Sequence, residues 1–168
     1  MPTIALLPGH AFAAGFMTAM MHDYRHMNPH RGFLCLNELD FGAPLQPPMA
    51  SIFRQKVPNP NTFRTMVLES KRYGALEGLK EGFLDGLGGM PEVITFVQEL
   101  GLLDKAKSGV YGRLKAEMWG ETVRLLDGFE AAKKEAALEA TAHNNRQLEE
   151  KRGVEEWEKG IGAGKPKL

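Results

Sequence analysis

The segment Ile4-Ala5-Leu6-Leu7-Pro8-Gly9-His10-Ala11-Phe12-Ala13-Ala14-Gly15 decides the fold of this chain. Its first four residues form a continuous apolar run, which is typical of a buried strand in a parallel sheet. Pro8-Gly9 ends that strand, because proline cannot donate to the ladder and glycine tolerates a positive φ. A turn of mostly small residues follows, and the apolar run 16–22 then predicts a helix.

The turn into this helix predicts a point that binds negative charge. The first N–H groups of a helix have no intrahelical acceptor and lie at the positive end of the helix dipole. A strand that leads through a turn into a helix directs these groups to one spot, which suits an oxyanion or a phosphate. Small side chains before the helix would let a ligand lie close to the backbone.

A second apolar strand is predicted at 33–36, and it leads into Asn37-Glu38-Leu39-Asp40. A carboxylate at the end of an apolar strand is partly desolvated, which suits a general base. Asn37 is expected either to orient the Glu38 side chain or to turn the chain.

The composition limits the classes of function. The chain has 168 residues, enough for one domain, with 21 basic and 21 acidic residues, so no polyanion such as nucleic acid is expected as a partner. The single cysteine, Cys35, excludes an internal disulfide and is expected in the core. No apolar run approaches the roughly 20 residues of a membrane helix, and no signal peptide is visible, so we expect a soluble intracellular protein without a membrane partner.

Four histidines lie close together in the sequence, at His10, His22, His26 and His30. Their intervals are 12, 4 and 4 residues, and the last interval crosses Pro29. We therefore expect turn and surface histidines here and no metal site.

Local patterns predict the remaining elements. We expect a short strand at 23–27 and a series of helices at 49–56, 62–70, 75–81, 90–103, 108–118 and 121–160, the last long and highly charged. Asn61 is predicted to cap the second of these helices.

Three segments resemble the crotonase (enoyl-CoA hydratase/isomerase) superfamily, and within it the Δ3,Δ2-enoyl-CoA isomerase branch: Gly9 to Met17, His22 to Arg25 and Arg31 to Gly42. The resemblance continues more weakly through 68–85. It implies an α/β fold, the C-terminal part of a crotonase-like ββα superhelix with a helical C-terminal region. Because crotonase domains carry several βα units before this point, we expect an N-terminally truncated chain.

The resemblance also implies domain boundaries. A partial crotonase-like core is expected at 1–106, a C-terminal helical region at 107–160 and a flexible tail at 161–168. The tail ends in Pro166-Lys167-Leu168, which is similar to the peroxisomal S-K-L signal with proline in place of serine. We therefore expect a peroxisomal protein that binds the import receptor, or otherwise a cytoplasmic one.

The resemblance assigns roles to individual residues. Ala14 falls where a backbone N–H forms one half of the oxyanion hole, and Glu38 falls on the carboxylate that serves as the base in the isomerases. The second carboxylate of the hydratases would lie at Met17, which cannot accept a proton. The other oxyanion donor belongs to units upstream of Met1. Further substrate-binding residues are expected in the same turn: Gly9, His10 and Ala11.

These roles predict an isomerase that moves the double bond of a 3-enoyl-CoA to the 2-position, with Glu38 as the proton shuttle. The only cofactor-like group is coenzyme A, which is part of the substrate. Two alternatives stay open: an enoyl-CoA hydratase, and a non-catalytic crotonase fragment that oligomerises with full-length relatives. An acyl-CoA ligand and a homotrimer or mixed oligomer are the expected partners.

Overall fold

A computed structural model describes the backbone of residues 1–163 and the side chains of residues 1–157. The chain divides into two compact units, with the division between Leu126 and Asp127. Within the described residues, no helix has an apolar stretch long enough to cross a membrane.

Two small parallel sheets organise the first unit. Its strands are β1 (Ile4–Leu7), β2 (Ala11–Phe12), β3 (Tyr24–Met27), β4 (Leu34–Cys35) and β5 (Gly86–Leu87). One sheet has the order β1-β3-β5, and the other pairs β2 with β4. The predicted strands at 4–7 and 23–27 are therefore present and are parallel neighbours.

The strand that precedes Glu38 pairs with β2 and not with β1. Phe12 lies opposite Cys35, and Leu34 also forms an antiparallel bridge with Tyr73. The segment predicted as a plain turn thus contains a two-residue strand. Two strands followed by a helix, with each strand in a different sheet, form one ββα unit.

Helices fill the rest of the first unit. They are α1 (Ala14–Met21), α2 (Pro47–Lys56), α3 (Pro60–Leu68), α4 (Ala75–Lys80), α5 (Met90–Glu99), α6 (Leu102–Ala106), α7 (Tyr111–Met118) and α8 (Gly120–Asp127), with a 3-10 helix at Glu38–Phe41. The second unit is dominated by α9 (Phe129–Ala163).

Three helix predictions were wrong in detail. The segment predicted as one helix at 121–160 is divided between α8 and α9. The helix predicted at 90–103 is two helices, because Gly101 adopts a left-handed conformation with φ of 59° and turns the chain. The cap of α3 is Asn59, whose side chain accepts a hydrogen bond from the N–H of Asn61, and Pro60 occupies the first helical position.

The core lies between α1, α2 and the strands. The Phe16 ring packs edge-on against the rings of Phe53 and Phe83, with centroids 5.2 and 5.5 Å apart. The methionines of α1 that lie in this core are Met17 and Met20, and Cys35 is buried as expected.

The first unit extends about 20 residues beyond the predicted boundary at 106. Trp119 is 5% exposed and belongs to the core cluster. The buried hydroxyls of Ser51 and Thr122 lie 2.8 Å apart and share a hydrogen bond. These long-range contacts hold α8 to the first unit. The flexible tail was predicted at 161–168, but α9 continues through Ala163. The predicted signal at 166–168 lies outside the described residues.

Candidate active site

The turn before α1 holds its backbone under strain. Ala13 has φ of 47° and ψ of −122°, a region that residues with a Cβ rarely occupy. Its N–H donates to the Cys35 carbonyl at 2.9 Å, and its own carbonyl accepts from the Met17 N–H at 3.0 Å. These two bonds hold Ala13 in place, so that α1 begins directly at the next residue.

Ala14 is the first residue of α1 and is exposed. Among the hydrogen bonds of the described residues, none uses its backbone N–H. An N–H group in the first turn of a helix carries part of the positive end of the dipole. The Ala14 N–H is therefore available to an oxyanion from outside the helix.

The pairing of β2 with β4 brings Ala14 and Glu38 to the same end of one sheet. Successive bonds run from the Ala11 N–H to the Phe33 carbonyl at 3.0 Å and from the Ala13 N–H to the Cys35 carbonyl at 2.9 Å. Since the strands are parallel, both residues lie just beyond the carboxyl ends of neighbouring strands. In open α/β sheets this edge is where ligands bind.

A close approach of two glycines sets this pairing. Gly32 has φ of 99°, and a Cβ built on it would lie 2.3 Å from the carbonyl carbon of Gly9. No other residue fits at this position, so Gly32 fixes how the loop before β4 lies against the turn before β2.

Glu38 opens the 3-10 helix and is 9% exposed. Its Oε2 atom is buried and has no hydrogen-bond partner in the described part of the chain. The neighbouring Asn37 Oδ1 is also buried and unpartnered, and no hydrogen bond of the described residues joins the Asn37 amide to the Glu38 carboxylate. Asp40, two residues on, is exposed.

The Glu38 side chain lines a cavity of about 160 Å³ whose other walls are almost all apolar. They come from the strand end, the loop after the 3-10 helix and the end of α3: Leu36, Leu39, Ala43, Pro44, Leu45, Val67 and Leu68. The two residues of α3 were not predicted as part of the site, because the sequence shows only the apolar spacing of a packed helix. A carboxylate in such surroundings is positioned to exchange a proton with a bound apolar molecule.

The other predicted contacts of the turn have different surroundings. The His10 Nδ1 accepts from the Phe33 N–H at 3.2 Å, and its ring stacks on the Phe33 ring with centroids 5.8 Å apart. Ala11 is buried and its N–H is taken by the ladder, whereas a side chain at Gly9 would meet nothing within 4 Å. Of these three residues, Gly9 and His10 present surface at the turn and Ala11 does not.

Met17 occupies the position at which the resemblance would place a second carboxylate. Met17 is 7% exposed and packs in the core, so it provides no second carboxylate beside Glu38.

No group of three or more potential metal ligands occurs within the described residues. His22 bonds to the Thr18 carbonyl of its own helix, and His26 is buried in the sheet.

Comparison with known proteins gives two kinds of match, although no family model matches the chain. The chain is 34% identical to enoyl-CoA delta isomerase 1, peroxisomal, of Arabidopsis thaliana over 127 residues, which are 73% of this chain and 53% of that protein. It is 31% identical to enoyl-CoA delta isomerase 3 of the same plant over 132 residues, 76% of this chain and 56% of the other. It thus spans about half the length of the curated relatives that it matches.

Solved structures show the same fold. An enoyl-CoA hydratase from Mycobacterium marinum superposes with a TM-score of 0.62 at 20% identity, covering 77% of this chain and 59% of that one. An enoyl-CoA hydratase/isomerase family protein from Pseudomonas syringae gives 0.63 at 22% identity, covering 76% and 55%. The shared fold and the sequence similarity to the plant isomerases support the prediction that the chain is a member of the crotonase (enoyl-CoA hydratase/isomerase) superfamily, in its enoyl-CoA isomerase branch.

Proposed function

We propose that this chain carries the proton shuttle and one oxyanion donor of a Δ3,Δ2-enoyl-CoA isomerase. The observation that carries the proposal is the buried, unpartnered Oε2 of Glu38, which follows the strand paired with the one that leads to Ala14. The names of the plant relatives, all enoyl-CoA delta isomerases, support the same reaction.

The reaction needs one base and a stabilised enolate. The Glu38 carboxylate removes a proton from C2 of the 3-enoyl thioester, and the electron pair moves onto the thioester oxygen to give a dienolate. The Ala14 N–H donates a hydrogen bond to that oxygen, and the loss of one such donor typically costs about 10²–10³-fold in rate. The protonated Glu38 then returns the proton to C4, which leaves the double bond conjugated with the carbonyl.

The apolar walls around Glu38 favour this role for the carboxylate. They hold the carboxyl group against the apolar acyl chain, which favours transfer of the proton from C2 to C4 by one and the same carboxyl group. The same walls suit the acyl chain of the substrate, because leucine, valine and proline side chains offer it an apolar surface.

The surroundings of Met17 favour isomerisation over hydration. Hydration must also position and activate a water molecule, which in the related hydratases takes a second carboxylate. Met17 occupies that position here and is packed in the core. We therefore propose that the chain makes a conjugated enoyl-CoA and adds no water to it.

Product analysis tests the proposal. The full chain is incubated with a 3-enoyl-CoA and, separately, with the 2-enoyl-CoA, and the products are separated by chromatography and identified by mass. We expect 2-enoyl-CoA from the first substrate and no 3-hydroxyacyl-CoA from the second. A product that is heavier by one water would contradict the isomerase assignment and favour the hydratase.

A second candidate, a non-catalytic partner of longer crotonases, is favoured by the sheet edge. In the described chain β1 pairs with β3 on one side only, so its other edge is free to take a strand from another molecule. Size-exclusion chromatography with light scattering, on the chain alone and mixed with a full-length relative, tests this. A mixed complex without turnover would support the second candidate.

The relatives also bear on location. Two of the plant isomerases are named as peroxisomal. We propose the same compartment for this chain, with Pro166-Lys167-Leu168 as the sequence that the import receptor binds.

A further inference from the structure

A second cavity lies away from Glu38, between β3, α2 and α7. It has a volume of about 360 Å³, within the range of about 300–1,000 Å³ that is usual for small-molecule sites. Its walls carry both charged and apolar side chains: Asp23, Tyr24, Arg25, Lys56, Tyr111, Leu114, Lys115 and Met118. None of these residues has a role in the proposed isomerisation.

The charges around this cavity do not balance. Arg25 forms an ion pair with Asp85 at 2.7 Å, and Lys115 forms one with Asp23 at 2.8 Å. No ion pair of the described residues includes Lys56. Three cations thus face two carboxylates, and both carboxylates are already paired.

The Lys56 ammonium has only neutral partners. It donates to the His22 carbonyl and lies 5.0 Å from the centre of the Trp119 ring. Burial, followed by the positive charge of Arg25, lowers its pKa to about 8, and the smaller effects of Asp85 and Asp23 compensate only in part. An ammonium group under this strain gains more from an added anion than an exposed lysine does.

The rest of the wall suits a carboxylate that carries a short apolar chain. Leu114 and Met118 lie on one face of α7 and are about half exposed or more, so they offer apolar surface without closing the cavity. The Tyr111 phenol adds a polar hydroxyl to the wall, and burial raises its pKa to about 12. Asp23, the carboxylate in the wall, is neutralised by Lys115.

We propose that this cavity binds a small amphipathic carboxylate, with its carboxylate on the Lys56 ammonium and its apolar chain against Leu114 and Met118. The site is separate from Glu38 and independent of the isomerase proposal. Its occupation supplies the negative charge that the cavity lacks.

Calorimetry on the full chain with hexanoate tests the binding. Hexanol and hexylammonium have the same tail without the negative charge, and acetate has the charge without the tail. We expect hexanoate to bind at least about tenfold more tightly than each of the three, because hexanol and hexylammonium lack the charge that pairs with Lys56 and acetate lacks the apolar chain that covers Leu114 and Met118. Equal binding of acetate would mean an unspecific ion, and equal binding of hexanol or hexylammonium would mean that Lys56 plays no part; either result overturns the proposal.

Variants locate the site. Lys56→Met keeps most of the apolar side chain and removes its charge, and we expect it to weaken hexanoate binding at least about tenfold. Lys56→Arg retains the charge and is expected to retain binding. Lys107→Met, at an exposed lysine, and Glu38→Gln are expected to bind hexanoate as the wild type does. Unchanged binding in a folded Lys56→Met variant, or lost binding in Glu38→Gln, would contradict the assignment.

A measurement on the unmodified chain avoids any folding defect in these variants. The NMR signal of the Lys56 side chain is titrated against pH with and without hexanoate. Since the bound anion stabilises the ammonium, hexanoate should raise the pKa of Lys56 above its value of about 8, and binding should weaken as pH rises through that range. A Lys56 pKa that hexanoate leaves unchanged would contradict the proposal.

Discussion

Replacing Gly32 with alanine is expected to destabilise the first unit by about 3 kcal/mol. A residue with a Cβ at positive φ costs about 1–2 kcal/mol, and forcing an extra carbon into a packed site typically costs about 1–3 kcal/mol. Here the new Cβ would lie 2.3 Å from the carbonyl carbon of Gly9, which is backbone and cannot rotate away. The lower entropy of the unfolded alanine variant returns about 0.4–1 kcal/mol.

Gly42→Ala is the matched control. Gly42 also has a positive φ, of 72°, but a Cβ there would meet nothing within 4 Å. Gly42→Ala therefore has only the conformational cost of a positive φ. We expect its free energy of unfolding to fall by about 1 kcal/mol, after the lower entropy of the unfolded variant is taken into account. The difference between the two variants, about 2 kcal/mol, isolates the contact between Gly9 and Gly32.

Urea unfolding followed by circular dichroism measures both losses. With an m-value of about 2 kcal/mol/M, the midpoint should fall by about 1.5 M for Gly32→Ala and by about 0.5 M for Gly42→Ala. Equal shifts for the two variants would refute the reasoning, because they would mean that Gly9 and Gly32 do not touch. The pairing of β2 with β4 would then lack its main constraint.

Three further predictions concern the packing and the C-terminus. Ser51→Ala should lower the free energy of unfolding by about 1–3 kcal/mol, because it leaves the buried Thr122 hydroxyl without its partner. In urea unfolding, the double variant Ser51→Ala/Thr122→Val should lose less stability than the two single variants together. Asp85→Asn should cost about 2 kcal/mol by the same measurement, because it leaves the buried Arg25 guanidinium without its charge partner. Deleting Lys167-Leu168 from a fluorescently tagged chain should move it from peroxisomes to the cytosol, as seen by microscopy.

Each of these has a result that would contradict it. Additive losses at Ser51 and Thr122 would mean that the hydroxyls do not interact. Asp104→Asn is the control for Asp85→Asn, because it removes an exposed ion pair and should change the free energy of unfolding by less than about 0.5 kcal/mol. Equal losses for the two variants would mean that the burial of Arg25 does not strengthen its ion pair. Peroxisomal location that persists without residues 167–168 would remove the targeting proposal.

Local patterns in the sequence predicted the elements that local physics decides. The apolar runs predicted β1 and the strand before Glu38, Pro8-Gly9 marked the end of β1, and the short strand expected at 23–27 is β3. The starts of the helices predicted at 49 and 90 were also placed within two residues, and both helices have a proline in the first turn. These features depend on residues within a few positions of each other, so a single sequence contains them.

What the sequence did not reveal depends on distant contacts. The strand β2 has only two residues and exists because β4 pairs with it. The end of the first unit was misplaced because Trp119 and Thr122 pack against α2, a contact that no local pattern announces. The uncompensated charge of Lys56 appears only when Arg25 and Lys115 are seen to hold both neighbouring carboxylates.

The candidate site was predicted through its resemblance to a family, and the structure adds its surroundings. Ala14 begins a helix with a free N–H, and Glu38 is buried at the same end of a sheet. The apolar cavity beside Glu38 draws on α3, which is about 30 residues further along the chain. Its walls could not be assigned from spacing alone.

The exchange of deuterium from heavy water into C2 and C4 of a 3-enoyl-CoA tests the role of Glu38 most directly. The full chain is compared with Glu38→Gln and with Asp40→Asn, which changes an exposed carboxylate of the same 3-10 helix. We expect Glu38→Gln to slow exchange and isomerisation by at least about 10²-fold while Asp40→Asn leaves both unchanged, since a positioned base contributes about 10²–10⁴-fold. Exchange that continues at the wild-type rate in a folded Glu38→Gln variant would contradict the account.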